Sequence, residues 1–250
     1  NTTISGGTSQ TRYKASFTYT GQDGVISNSG YDRYQGSISL HQALHKNLKM
    51  RLNLTYFEDD KYGQTASRSL DSTTGYQTYL MYRTWAFRPV TLKNYRPNAD
   101  LDETDDEYND MYDGNTLNPI ISNSNEDKHE RRKSLVGNVR FDWTIIKGLK
   151  FQTQAGIKRL STETENFYNS LTYNGRPKSG NSFGVNADYA MSQLNEWINE
   201  NTLTYNNRSG YHVYDALIGF TMEGKTQKSY GYKTIQIPNE DMGITVMDDG

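Results

Sequence analysis

The chain has 250 residues, a net charge of -2, 34% hydrophobic residues and a mean hydropathy of -0.89. So polar a chain has few apolar side chains for a large dry core, yet 20 Tyr, 8 Phe and 3 Trp are too many aromatics for disorder. The charge balance argues against a general nucleic-acid binder, and the absence of Cys excludes disulfides, thiolate metal sites and Cys nucleophiles.

In chain order, a short strand ends at Ile4-Ser5-Gly6-Gly7 and a tight turn follows at residues 8–11. Tyr13, Ala15, Phe17 and Tyr19 then alternate with Lys14, Ser16 and Thr18 in a second strand. GQDGVISNSG, residues 21–30, is a loop of turn formers. Tyr34, Ile38, Leu40 and Leu44 mark a third strand, residues 45–47 turn the chain, and Leu48, Met50, Leu52, Leu54 and Tyr56 mark a fourth. Alternation stops from Glu58 to about Lys128, a stretch with the spacing of a short helix over 76–85 and the acidic run LDETDDEYNDMYDG. So long a connection is expected to be functional or a small subdomain.

The next stretch, SLVGNVRFDWTIIKGLKFQTQAG at 134–156, has the clearest pattern. Leu135, Val139, Phe141, Trp143 and Ile145 recur every second residue, with Asn138, Arg140, Asp142 and Thr144 opposite. After Lys147-Gly148 the alternation resumes at Leu149, Phe151, Ala155 and Ile157. This is a β-hairpin whose arms, about 10 residues each, are long enough to cross a bilayer as tilted strands. Its apolar face fits either a protein core or lipid. A wet connection over 161–187 precedes a seventh strand (Trp197, Asn199, Asn201, Leu203, Tyr205) and an eighth (Tyr214, Ala216, Ile218, Phe220, Met222). From Lys225 the pattern reads as loop, with a short extended piece at 234–237.

Connections near residues 8, 46, 147 and 207 are short, and those near 25, 60–128 and 161–187 are longer, in strict alternation. An up-and-down membrane barrel has this arrangement, short turns at one rim and long loops at the other. No apolar run approaches the roughly 18 residues of a transmembrane helix, and a barrel does not need one. Asn1 is neither an initiator Met nor the start of a signal peptide, and the chain reads as an internal piece of a longer one.

ISGGTSQTRYKASFTYTGQDGVI at 4–26 resembles the barrel region of SusC/RagA-type TonB-dependent transporters. So do YDRYQGSISLHQALHKNLKMRLNLTYFEDD, NPIISNSNEDKHERRKSLVGNVRFDWTIIKGLKFQTQAG and EWINENTLTYNNRSGYHVYDALIGFTMEG. The likeness runs over most of residues 1–60 and 117–223. It implies an all-β fold: a portion, about eight strands, of an antiparallel up-and-down transmembrane barrel of about 22 strands with long extracellular loops. It further implies residence in a Gram-negative outer membrane, import of glycans or oligopeptides, a SusD-like surface lipoprotein as partner, and energy from TonB. The plug and the TonB-contacting N-terminal region of such transporters have no counterpart in these residues.

On this reading residues 1–58 and 129–223 are barrel strands, 59–128 a long extracellular loop or small subdomain, and 224–250 the start of a further loop. Tyr76, Tyr79, Tyr82 and Trp85 are candidate substrate contacts, because aromatic rings offer flat apolar faces for sugars. The alternative is that Tyr79, Tyr82 and Phe87 pack the loop's own small core. Arg51, Arg140 and Lys158 face the wetted side, where pairing with Asp142 or with residues of the plug is the plainer role. His41, His45, His129 and His212 have no metal-ligand spacing. The run Asp100, Asp102, Glu103, Asp105, Asp106, Asp110 and Asp113 lacks EF-hand order and reads as a solvated loop, though its oxygens could hold calcium. No catalytic constellation, metal or cofactor is expected, and no nucleic-acid partner. The rival readings are a soluble or surface β-rich carbohydrate-binding module, which would bury the apolar rows, and a small closed membrane-barrel adhesin.

Overall fold

The computed structural model describes residues 1–64, 80–87, 112–113, 116–176 and 182–249. Eight strands form one antiparallel sheet: β1 (Thr2–Gly7), β2 (Thr11–Asp23), β3 (Gly30–His45), β4 (Leu48–Tyr62), β7 (Glu126–Ile146), β8 (Leu149–Tyr168), β9 (Asn186–Ser209) and β10 (His212–Ile235). A two-residue hairpin, β5 (Tyr112–Asp113) and β6 (Thr116–Leu117), lies outside it. Two short helices, α1 (Leu80–Ala86) and α2 (Pro119–Ser124), and a 3-10 helix over Glu240–Asp249 complete the described structure.

Sheet order follows chain order, so every neighbour pair is an up-and-down meander. The sheet is open: β1 and β10 are its edges and do not pair with each other. A closed eight-stranded adhesin would join them, and that rival reading is set aside.

The register sorts side chains onto two faces. One carries Tyr13, Ile38, Leu52, Val139 and Ala155 with their row neighbours Phe17, Leu54, Phe141, Trp143, Phe151, Leu203, Ile218 and Phe220. The other carries Lys14, Ser39, Asn53, Asn138, Gln152, Thr202 and Glu200. Nothing in the described chain covers the apolar face. Ile38 is 49% exposed, Phe17 51%, Trp143 47%, Ile218 71% and Phe220 61%. Buried apolar residues occur elsewhere, at the long-loop end: Leu80, Phe87, Leu117, Phe167, Tyr168, Ala187, Ile237 and Met247. An uncovered apolar face of this extent calls for another apolar phase. A soluble module would bury it, and among the described residues nothing does.

The strands overrun the lengths expected from sequence. β8 continues to Tyr168 and β9 begins at Asn186, inside the stretch read as a connection over 161–187. β10 runs on to Ile235, where a loop was expected from about 224, β7 begins at Glu126, and β4 ends at Tyr62. The reason is physical. A bilayer core takes about 9–11 residues per tilted strand. Beyond it both faces are wet, so alternation disappears while the backbone ladder goes on pairing. On the outward side of this extension Lys133 meets Glu58 at 3.2 Å, and Arg131 reaches Glu165 at 2.9 Å and Asp60 at 3.7 Å. There too Tyr189 donates to Glu163 at 2.7 Å, which pushes its phenol up to about 12.

Two glycines carry local geometry. Gly148, in the Lys147-Gly148 turn, has φ +89° and lies so close to the Asn206 carbonyl that a Cβ would strike it. Gly224 sits opposite Trp197, whose indole covers it.

Gly148→Ala is expected to cost more than about 1 kcal/mol, read as a lowered urea midpoint of the full-length chain in lipid vesicles. In an outer-membrane assembly assay, Phe141→Arg is expected to cost about 2–4 kcal/mol at mid-bilayer depth, while Arg140→Gln leaves assembly intact. Equal tolerance at the two positions would reverse the assignment of the faces.

Candidate functional site

The long-loop end of the sheet holds the most elaborate side-chain arrangement. Glu126 opens β7 on the polar face, and its carboxylate is buried. Arg83, 2% exposed, comes down from α1 to meet it: a guanidinium nitrogen lies 3.8 Å from Oε1 and another donates to the Ser122 hydroxyl at 2.9 Å. Ser122 in turn donates to Glu126 at 3.2 Å and accepts from the Tyr173 backbone N–H at 3.2 Å. The Tyr173 ring stacks near both Arg83 and Arg176. Lys128 closes on Glu126 at 2.8 Å. Burial lowers the Arg83 pKa, with Glu126 pulling the other way, so the guanidinium stays charged at neutral pH.

Local sequence explains why these elements meet. Asn118 caps α2, accepting from the Ile120 N–H at 3.0 Å, and Pro119 presets the first helical turn. Asn123 donates to the Ser27 carbonyl at 2.7 Å, tying α2 to the β2–β3 loop. On α1, Leu80 and Arg83 point inward and Phe87, just beyond it, is buried, while Met81, Tyr82 and Trp85 face out. The cap therefore lies over the polar face at its long-loop end. On the opposite, outward face, Phe167, Ala187, Ile237 and Met247 form a small apolar cluster, which the 3-10 helix closes. Thr234 donates to the Met247 carbonyl at 2.6 Å, and Glu240 accepts from the Ser170 N–H at 2.6 Å.

Of the predicted aromatic contacts, Tyr82 is 44% exposed and Trp85 79% exposed, both on the open side of α1. Tyr76 and Tyr79 lie outside the described residues. So do Asp100, Asp102, Glu103, Asp105, Asp106 and Asp110. Phe87 is buried, which places it, and not Tyr82, in the cap's interior. Sequence reading misses Arg83, Ser122 and Glu126 altogether. The one available signal was an Arg at i+3 from Leu80, on the same helical face.

Lower on the polar face, Asp142 accepts from Arg51 at 2.7 Å and from Arg140 at 2.9 Å. Arg140 also donates to Gln152. Lys158 and Lys225 share Glu196 at 3.2 and 3.3 Å. Asp59, 1% exposed, is held by Arg132 at 2.9 Å and Tyr31 at 3.3 Å, and the Asp59 hydrogen bond raises the Arg132 pKa. The charges named here on this face are engaged with one another or with neighbouring amides and phenols. His129 sits between Asp60 at 3.0 Å and Asp127 at 3.3 Å on the outward side, a hydrogen-bonding position.

An open meander with long strands, an exposed apolar band, a polar inner face and a cap at one end is the wall of a large barrel, and comparison with known proteins agrees. The structure superposes on the RagAB peptide transporter with a TM-score of 0.66 at 18% identity, covering 99% of this chain and 26% of that one. It carries the fold of a SusC/RagA-type TonB-dependent barrel. Structures of the RagAB peptide importer in the 'closed-closed' and 'open-open' states give TM-scores of 0.64 and 0.62, each at 19% identity. They cover 96% and 93% of this chain and 25% and 24% of theirs. In sequence, the chain is similar to TonB-dependent receptor P3 of Formosa agariphila, 24% identical over 221 residues, or 88% of this chain. The segment spans about a fifth of that relative's length. No family model matches it.

Removing the guanidinium in Arg83→Ala leaves Glu126 buried beside only Lys128 and Ser122. A loss of about 3–5 kcal/mol is expected, confined to the cap and read as faster proteolysis near residues 80–87 and 119–124 with the strands still protected. Trp85→Ala should leave that protection within about 0.5 kcal/mol of the parent.

Proposed function

We propose that the chain is the wall portion of a TonB-dependent outer-membrane importer of glycans or oligopeptides, working with a SusD-like surface lipoprotein. The observation that carries this is the open eight-stranded sheet whose apolar face is uncovered while its polar face is laced with ion pairs. A sheet with two unsatisfied edges, one of 24 residues, is completed by further strands of the same barrel. The lipoprotein partner and imported cargo are supported by the likeness to RagAB, described as a peptide importer. Energy from TonB would enter through parts of the full-length protein outside these 250 residues. The short turns at Lys46-Asn47, Lys147-Gly148 and Gly210-Tyr211 then lie on the periplasmic side and the cap faces the outside.

Tyr82 and Trp85, with Tyr76 and Tyr79 beside them in sequence, are the residues we assign to cargo contact at the mouth. Their rings offer stacking surfaces at little cost in ordering. In the full-length protein, Tyr82→Ala combined with Trp85→Ala is expected to weaken cargo binding by up to about tenfold, the scale of one or two lost ring contacts. Cell fractionation checks the larger reading: recovery of the native protein in the aqueous phase, rather than with the outer membrane, would end it.

A further inference from the structure

The outward face changes character immediately beyond the apolar band. In the row of Ile157 and Trp197 the positions from β4 to β10 are apolar or glycine: Leu54, Gly137, Ile157, Trp197 and Gly224. The next row toward the long-loop end reads Tyr56, Leu135, Arg159, Asn195 and Thr226, and the one after it Glu58, Lys133, Ser161, Gln193 and Lys228. From β7 to β10 these rows hold Lys133, Arg159 and Lys228 and no carboxylate. The carboxylates nearest them are already engaged: Glu58 holds Lys133 at 3.2 Å, Glu163 accepts from Tyr189 at 2.7 Å, and Glu165 accepts from Arg131 at 2.9 Å. Arg159 and Lys228 are exposed, and among the described residues neither has an ion-pair partner. Arg159 lies two strands in from the edge, so both strands beside it belong to this sheet, and no neighbour on them neutralises it.

Tyr56 and Trp197 form the aromatic margin of the band, the height at which a barrel meets the headgroups of its membrane. A cation without a counter-charge at that height finds one in anionic headgroups. Arg159 and Lys228 are two strand spacings apart, about 10 Å, so their long side chains can close from both sides on β9, where Gln193 and Asn195 offer amide donors. A phosphate suits this arrangement, since a guanidinium grips two of its oxygens in one plane and an ammonium holds a third as a point charge. Above Lys228 on the same strand and face stand Tyr230 and Tyr232, 56% and 52% exposed, with the Tyr232 ring tilted against Tyr189 at 5.4 Å. Such rings present apolar faces beside polar edges, as sugars require. From the band outward, the order is apolar surface, cations, then aromatic rings.

We propose that the outward face of β7 to β10 is a binding site for a phosphorylated glycolipid of the surrounding leaflet. The acyl chains lie on Ile157, Trp197 and Leu203, the phosphate over β9 between Arg159 and Lys228, and the sugar against Tyr230 and Tyr232. The assignment rests on the outer-membrane reading, and it concerns the wall's lipid partner rather than the cargo.

In the test, the full-length protein in mild detergent is offered a diphosphorylated disaccharide lipid, the same lipid without phosphate, and phosphatidylglycerol, and bound lipid is counted by native mass spectrometry. The diphosphorylated lipid is expected to bind about tenfold or more tightly than either of the others, the scale of two charge contacts. Arg159→Gln with Lys228→Gln should remove its advantage over the phosphate-free form, and Tyr230→Ala with Tyr232→Ala its advantage over phosphatidylglycerol. Lys14→Gln with Lys150→Gln, on the opposite face, should change neither. Both cations are exposed and unpaired, so the double Gln variant should still be recovered with the outer membrane. Equal binding of the phosphorylated and phosphate-free lipids by protein recovered there, or an undiminished preference in that variant, overturns the site and leaves the importer reading standing. Recovery of the native protein in the aqueous phase overturns both. Displacement of the lipid by inorganic phosphate alone would make this a free-anion site, and phosphatidylglycerol binding as tightly as the glycolipid would leave the tyrosines without a role; either result overturns the glycolipid assignment.

Discussion

Everything in this structure follows from a backbone that satisfies its hydrogen bonds sideways. In lipid, each N–H and C=O must find a partner in the neighbouring strand, because no water is there to take its place. A strand fixed in that ladder has only one freedom left, the choice of which side chains face which way, and the period of two settles it. Leu52, Val139 and Ala155 turn outward in one row, and Asn53, Asn138 and Gly156 turn inward in the next. Burial of an ordinary core plays little part. Among the described residues the apolar band is exposed, and the buried apolar side chains gather at the cap. The transfer of the band into lipid takes the place that a hydrophobic core holds in a soluble protein.

The cap shows the complementary solution, where loops must be held without lateral pairing. A buried Arg83 with one carboxylate, one hydroxyl and one aromatic ring as neighbours is a specific but weakly stabilising device, since desolvation of the charges offsets most of their attraction. Its value lies in uniqueness of arrangement: α1, α2 and the turn at 169–176 can meet around it in one way. Exposed rings such as Trp85 are thereby presented on a fixed platform rather than on a free loop.

Much of the architecture was legible in the sequence because amphipathic alternation records the two phases that a strand separates. The hairpin at 134–156, the turns near 46 and 147 and the eight-strand count could all be read from it, while the turn expected at 206–210 falls at Gly210-Tyr211. Strand ends could not. Beyond Leu160 in β8, Ser161, Glu163 and Glu165 alternate with Thr162, Thr164 and Asn166, polar on both sides, so nothing in the pattern marks a strand. The cap residues were illegible for a different reason: Arg83 is brought to Ser122 and Glu126 from about 40 residues away, and nothing around Arg83 marks it as their partner. The charges on the inner face were visible one by one. Only the register brings Arg51 opposite Arg140, with Asp142 close enough to hold both.

The overlong strands have a geometric result. From Ser134 back to Glu126, β7 continues for nine residues beyond the start of the apolar band, or about 30 Å of paired strand. β8, β9 and β10 accompany it, braced by Arg131, Lys133 and their carboxylate partners. The long-loop end is therefore a stiff collar of paired strand, set apart from the exposed apolar band. Whatever docks on that end meets a rigid rim, and a load applied there is carried by the backbone ladder and not by single loops.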